Sequence, residues 1–230
     1  VIPAVLAGSG AEILHLSPSH HYPTGIVTPI ARRQAILQWL TAEGDRFLIE
    51  DDYDSEFRFS GRPIPPMQTM DFAGRVIYMN TFSKTIAPAL RISYMILPRT
   101  LLPQWQAAMG FYSCTVSNFE QYTLARFIRG GYFEKHINRM RKFYRARRNR
   151  VIAMLERCPA ADKLTILEQD AGLHFLLKVE TALDDRALTA LFAQSGLHVQ
   201  PLSSFHTHPT EDCRGMLVIN YSAVDERALE

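Results

Sequence analysis

The stretch Arg75 to Tyr94, RVIYMNTFSKTIAPALRISY, constrains the fold more than any other. Val76, Ile77 and Tyr78 form a run of β-branched and aromatic residues that reads as a short buried strand. The run breaks into Asn80, Thr81, Phe82 and Ser83 just before a single lysine, Lys84. In an α/β sheet the loops at the carboxyl ends of the strands line the ligand crevice, so a lysine there can point into a site. Hydroxyls flank it (Thr81, Ser83, Thr85) and Arg91 follows, a set of groups suited to an anionic phosphate. A solvated loop lysine with Arg91 in an ordinary ion pair would read the same way in isolation.

A second apolar run lies upstream. Phe47, Leu48 and Ile49 read as a strand that ends in Glu50-Asp51-Asp52-Tyr53-Asp54. Side chains alternate along a strand, so Asp51 and Tyr53 are expected on one face and Asp52 on the other. A carboxylate and a phenol would then share the crevice with the lysine. Pyridoxal phosphate uses that combination: an amine for a Schiff base, a carboxylate for the pyridine nitrogen, and cationic and hydroxyl groups for the phosphate. The competing readings are a metal site, for which only Glu56 is on offer as a further ligand, and a plain acidic turn.

Five blocks occur in order: SPSHHYPTG (17–25), IEDDYDSEFRF (49–59), TFSKTIAPALRISYMILP (81–98), SNFEQYTLARFIRGGYFEKHINRMRKFYRARR (117–148) and GLHVQPLSSF (196–205). Together they resemble the aminotransferase-like effector domain of MocR/GabR-type bacterial transcription regulators, over nearly the whole chain. The implied architecture is α/β: part of a fold-type I pyridoxal-phosphate aminotransferase large domain plus the C-terminal small α/β domain. SPSHHYPTG discriminates best, because ordinary aminotransferases carry Asn-Pro before the Thr/Ser-Gly, and here the residue is Tyr22.

The resemblance implies that Lys84 carries the cofactor as a Schiff base and that Asp51 pairs with its pyridine nitrogen. Tyr53 would lie near the 3′ oxygen, with Thr81, Ser83 and Arg91 at the phosphate. The sequence departs from the aminotransferase pattern twice. Tyr22 replaces the Asn that touches the 3′ oxygen. The arginine expected for a substrate carboxylate, in a pattern like Arg-Leu-Ser-Phe, is missing from Leu217-Val218-Ile219-Asn220-Tyr221, and Arg214 is out of register.

The rest of the sequence agrees with an α/β chain. Ile13, Leu14 and Leu16 predict a strand. Thr28-Pro29 predicts an N-cap and first-turn proline for a helix running to Gly44. His20 and His21 read as surface or capping histidines. Pro63 to Pro66 reads as a loop and 101–109 as a short helix. A helical pattern from Asn118 is interrupted at Gly130-Gly131 and resumes from Phe133 to Arg157, with Ile137, Met140, Tyr144, Val151 and Leu155 on one face. Its other face carries Arg139, Arg141, Lys142, Arg145, Arg147, Arg148 and Arg150. With a net charge of only +2, a solvated interdomain helix is the better reading than a DNA-binding one. Beyond Pro159, strands are expected at 173–177 and 217–221, and a helix from Asp184 to Ser195. His206 and His208 have no third metal ligand nearby. The last residues, 225–230, read as the start of a further helix.

Residues 1–150 are therefore expected to form the partial large domain and 151–230 the small domain. Three scattered cysteines without metal or redox spacing read as free thiols of a cytoplasmic protein. No apolar run reaches the roughly 20 residues that cross a membrane. The expected function is a pyridoxal-phosphate-binding sensor of a small amine or amino acid within a homodimeric regulator. Its DNA contacts would lie in an N-terminal winged helix-turn-helix expected to precede Val1. A working aminotransferase is the main alternative; a domain that no longer binds the cofactor fits less well, given the intact lysine, carboxylate and phosphate groups.

Overall fold

A computed structural model describes residues 3–42, 44–61 and 64–222. The chain divides into two compact units. One gathers the described residues of 1–20, 27–55 and 62–139, the other those of 21–26, 56–61 and 140–230.

The first unit opens with α1 (Pro3–Gly8) and continues through β1 (Ile13–Leu16), α2 (Ile30–Ala42), β2 (Phe47–Asp51) and β3 (Val76–Thr81). A single helical turn, α3 (Phe82–Thr85), precedes β4 (Ser93–Ile96), and α4 (Leu102–Met109) and α5 (Asn118–Arg129) follow. The sheet order is β1-β2-β3-β4, with β1, β2 and β3 parallel and β4 antiparallel to β3. Parallel pairing of β1 and β2 requires a crossover, which α2 supplies. Ile36 and Leu40 of α2 bury fully beside Leu16, Leu48, Met67 and Val76. The sequence pattern does not predict β4, because all four of its residues are exposed and no alternation marks them.

Two buried charges anchor this unit. Arg33 on α2 has no exposed surface and donates to the carbonyls of Pro18 (2.8 Å), Thr28 (3.0 Å) and Pro65 (2.9 Å). Glu50 on β2 is equally buried and accepts from the backbone N–H groups of Met67 (2.8 Å) and Gln68 (2.9 Å). Each charge is met by fixed donors or acceptors, the condition under which burial is tolerated. The cap of α2 differs from expectation by one position. Arg32 and Arg33 both donate their N–H to the Pro29 carbonyl, so Pro29 rather than Thr28 stands at the cap.

The helical pattern breaks where glycine requires it: Gly130 caps α5 and Gly131 takes φ 70°, after which α6 (Tyr132–Arg157) begins. Residues of α6 from Met140 onward count with the second unit, where Met140, Tyr144, Val151 and Leu155 pack in its main core with Phe57, Phe175 and Leu217.

That unit continues with β5 (Leu164–Leu167), β6 (Phe175–Val179), α7 (Asp185–Gln194), β7 (Gln200–Pro201) and β8 (Met216–Ile219). The antiparallel sheet is ordered β5-β6-β8-β7. Asp184 caps α7 through Ala187 N–H, as its sequence position suggests. The basic face of α6 is less solvated than expected. Arg141 donates to the Glu56 carbonyl, Arg148 donates to the Gln169 carbonyl at 2.8 Å, and the Arg148 guanidinium lies 4.9 Å from the Phe59 ring centroid. The helix expected at 225–230 and Pro63 of the expected loop lie outside the described residues. Among the described residues, no helix is long and apolar enough to cross a membrane.

Candidate functional site

β2 and β3 run side by side and in the same direction, with Asp51 in register with Met79. Their carboxyl ends therefore deliver Asp51 and Lys84 to the same edge of the sheet. Lys84 sits, exposed, in the turn α3. That turn exists because Thr81 caps it, its hydroxyl accepting from Ser83 N–H at 3.2 Å.

The same hydroxyls form a polar cluster with Arg91. Arg91 Nη1 donates to Ser83 Oγ at 3.2 Å, and Ser83 Oγ donates in turn to the Leu90 carbonyl at 2.8 Å. Thr81 Oγ1 stands 3.2 Å from Ser83 Oγ and 3.2 Å from the Ile92 carbonyl, either of which can take its single proton. Thr81, Ser83 and Arg91, expected as a set beside Lys84, are thus one hydrogen-bonded group. Beyond the contacts of Nη1, Arg91 has further N–H groups to offer an anion, and the two hydroxyls can join them at a phosphate monoester by turning their protons from these carbonyls.

Asp51 has a neighbour the sequence reading missed. His15 Nε2 on β1 approaches Asp51 Oδ2 to 3.6 Å, with 37% of the Asp51 side chain still exposed. Partial burial raises the Asp51 carboxyl above the ordinary aspartate range, and His15 opposes that shift. His15 was legible in principle: it alternates with Leu14 and Leu16 in β1, the parallel neighbour of β2. Asp52, the next residue, is buried and accepts from Tyr78 Oη and from Ser55 Oγ, both at 2.8 Å.

β2 ends at Asp51, so the alternation argument does not carry to Tyr53. Its hydroxyl instead donates to the His20 carbonyl at 2.9 Å. His20 is not the surface residue expected: it is 1% exposed and its Nδ1 lies 2.9 Å from Asp54 Oδ2. The exchange is physical, since a buried carboxylate at Asp54 needs a donor and the loop before Tyr22 brings one.

Tyr22 belongs to the second unit, where its half-exposed ring packs edge-on against His174 and Phe205 at centroid distances of 5.2 and 5.4 Å. Val218 belongs to that unit too. It is 7% exposed and packs with Leu176, Leu202 and Cys213 on one face of the β6–β8 pair. Arg214 is committed elsewhere, Nη2 donating to the Ala182 carbonyl at 2.9 Å. Among the described residues, no group of three or more His, Cys, Asp or Glu could hold a metal ion.

The signature of the aminotransferase class I and II family matches residues 10–230. The chain is 42% identical over 199 residues to the uncharacterized HTH-type transcriptional regulator YdeL of Bacillus subtilis, covering 86% of this chain and 42% of that protein. It is 37% identical over 220 residues to the probable rhizopine catabolism regulatory protein MocR of Rhizobium meliloti, covering 95% of this chain and 43% of that one. The chain thus spans less than half the length of these relatives. A crystal structure of Pyrococcus horikoshii kynurenine aminotransferase, in complex with PMP and KYN, superposes with a TM-score of 0.82 at 29% identity, over 98% of this chain and 55% of that one.

Proposed function

This chain belongs to the aminotransferase class I and II family, its regulator relatives are of the helix-turn-helix type, and on that premise we propose that it is a pyridoxal-phosphate-binding, effector-sensing domain of such a regulator. The donor set supports the cofactor: one lysine at a strand end, one carboxylate on the adjacent strand, and a guanidinium-hydroxyl cluster beside the lysine. Bound pyridoxal phosphate supplies an aldehyde that captures primary amines and a ring that acts as an electron sink. Lys84 would hold it covalently. Thr81, Ser83 and Arg91 would grip the phosphate oxygens. Asp51 would keep a proton on the pyridine nitrogen, and a carboxylate whose proton affinity burial has raised gains most from such a cationic partner. Tyr53 would complete the binding residues of this unit.

The single observation that favours sensing over turnover is Val218. Transamination needs the substrate carboxylate held still while a proton is moved, and a bidentate arginine does that best. At the position where the family pattern leads one to expect that arginine, the side chain is apolar and sealed among Leu176, Leu202 and Cys213. The effector would be a small amine or amino acid. The whole protein would be a cytoplasmic homodimer that contacts DNA through a winged helix-turn-helix outside these 230 residues.

A half-reaction tests the reading. Candidate amines are added to the full-length protein without a keto acid, and the absorption spectrum is followed. The expected result is a spectral change with little conversion to the pyridoxamine form. Rapid, complete conversion with alanine, aspartate or glutamate would establish an aminotransferase instead.

A further inference from the structure

Asp52 and Arg91 are linked through β3 by hydrogen bonds between successive residues of the series Asp52, Tyr78, Asn80, Thr81, Ser83 and Arg91. Tyr78 Oη donates to Asp52 Oδ2 at 2.8 Å, and Asn80 Nδ2 donates to Tyr78 Oη at 3.0 Å. Asn80 Oδ1 accepts from Thr81 N–H at 2.5 Å, and the Thr81 hydroxyl continues to Ser83 Oγ and so to Arg91 Nη1, each step 3.2 Å. Chemistry sets the direction of the chain. A backbone N–H can only donate, so Asn80 must turn its oxygen to Thr81 and its amide hydrogens to Tyr78. The Tyr78 proton is then left for Asp52, which as a carboxylate can only accept. Burial also raises the proton affinity of Tyr78, which keeps the phenol neutral and donating. Asp52, Tyr78 and Asn80 are 3%, 8% and 6% exposed, so solvent does not compete for these bonds.

The ends of the run coincide with the ends of the candidate site. Asp52 directly follows Asp51, and its own N–H is tied to the Met79 carbonyl at 2.9 Å. Arg91, Ser83 and Thr81 are the candidate anion-binding cluster. A ligand gripped at two points is bound well only if the separation of the grips matches it, and small misplacements are costly. We propose that Tyr78 and Asn80 are positioning residues that hold the Asp51 end of the site in register with the Thr81–Ser83–Arg91 end. This rests on the cofactor reading above and adds two residues to which that reading gives no role.

The test compares pyridoxal phosphate with pyridoxal, which lacks the phosphate, by equilibrium binding to the full-length protein. Wild type should prefer the phosphate ester. Tyr78→Phe keeps the ring and removes the link; Asn80→Ala breaks the next link and serves if the first variant folds poorly. In both, the affinity ratio should fall at least fivefold. Ser55→Ala removes a different hydrogen bond to the same Asp52 oxygen and lies off the chain, so its ratio should match wild type. A purely structural role would weaken both ligands equally; an unchanged ratio in either folded link variant, or an equal fall in Ser55→Ala, overturns the proposal. Wild type that binds neither compound overturns the cofactor reading and the positioning with it.

Discussion

His20 Nδ1 lies 2.9 Å from Asp54 Oδ2, and the two side chains are 0% and 3% exposed. The pair ties the segment before Tyr22 to the turn that follows β2. Tyr53, between Asp52 and Asp54, adds a second tie by donating to the His20 carbonyl. Two candidate cofactor-binding residues, Tyr22 and Tyr53, thus each lie within two residues of one buried pair. Removing His20 takes the hydrogen-bond partner from a buried carboxylate oxygen of Asp54, which costs roughly 1–3 kcal/mol. His20→Ala is expected to destabilise the protein by about that amount in chemical denaturation. A loss below about 1 kcal/mol would mean that the pair is not worth what its burial implies.

Lys84→Ala should abolish the covalent adduct trapped by borohydride reduction of the pyridoxal-phosphate-loaded protein. The amine is the sole group of its chemistry in α3, at the end of the strand parallel to the one that carries Asp51. A trapped adduct of unchanged yield in the variant would move the attachment to another lysine.

Arg91→Ala should weaken pyridoxal phosphate binding by about 10- to 100-fold, the loss of a charge-assisted hydrogen bond of roughly 1.5–3 kcal/mol. Pyridoxal binding should hardly change. Equal losses for both ligands would show that Arg91 supports the loop through Ser83 and Pro88 and does not touch the phosphate.

Glu50 makes a prediction about pH. Burial raises its carboxyl above the ordinary glutamate value, despite the opposing Met67 and Gln68 N–H groups. The folded state therefore holds this proton more tightly than the unfolded chain does. Stability contributed by the protonated group is complete below the unfolded value and is lost as pH rises through the folded one. The stability difference between wild type and Glu50→Gln should accordingly shrink in favour of the variant as pH rises through the mildly acidic range. A difference that instead grows in favour of wild type would show that the two backbone donors outweigh desolvation.

Val218→Arg should not create a transaminase. The valine is buried with Leu176, Leu202 and Cys213, and placing a guanidinium there is expected to cost on the order of 3 kcal/mol in stability. Thermal denaturation and the amine half-reaction check it together. A variant as stable as wild type that gained rapid turnover would show that the sensor and the enzyme differ at this residue alone.

What the sequence by itself determined is what local pattern can carry. β1, β2 and β3 read as short runs of apolar, β-branched and aromatic residues and were legible, as were the helices whose caps are marked by Asp184 and by Gly130-Gly131. Lys84, Asp51 and the Thr81–Ser83–Arg91 group could be named as candidates because the end of a strand and the turn after it gather polar side chains at one edge of the sheet. β4 was not, since an exposed edge strand leaves no alternation behind. Nor were the partners of Asp51, Asp52 and Asp54. His15, Tyr78 and His20 are each more than twenty residues distant from them in sequence; the buried carboxylates of Asp52 and Asp54 are satisfied by groups the tertiary fold brings within about 3 Å, and the part-exposed Asp51 has His15 at 3.6 Å. Sequence spacing records which groups a strand presents; only the packed sheet decides which of them meet.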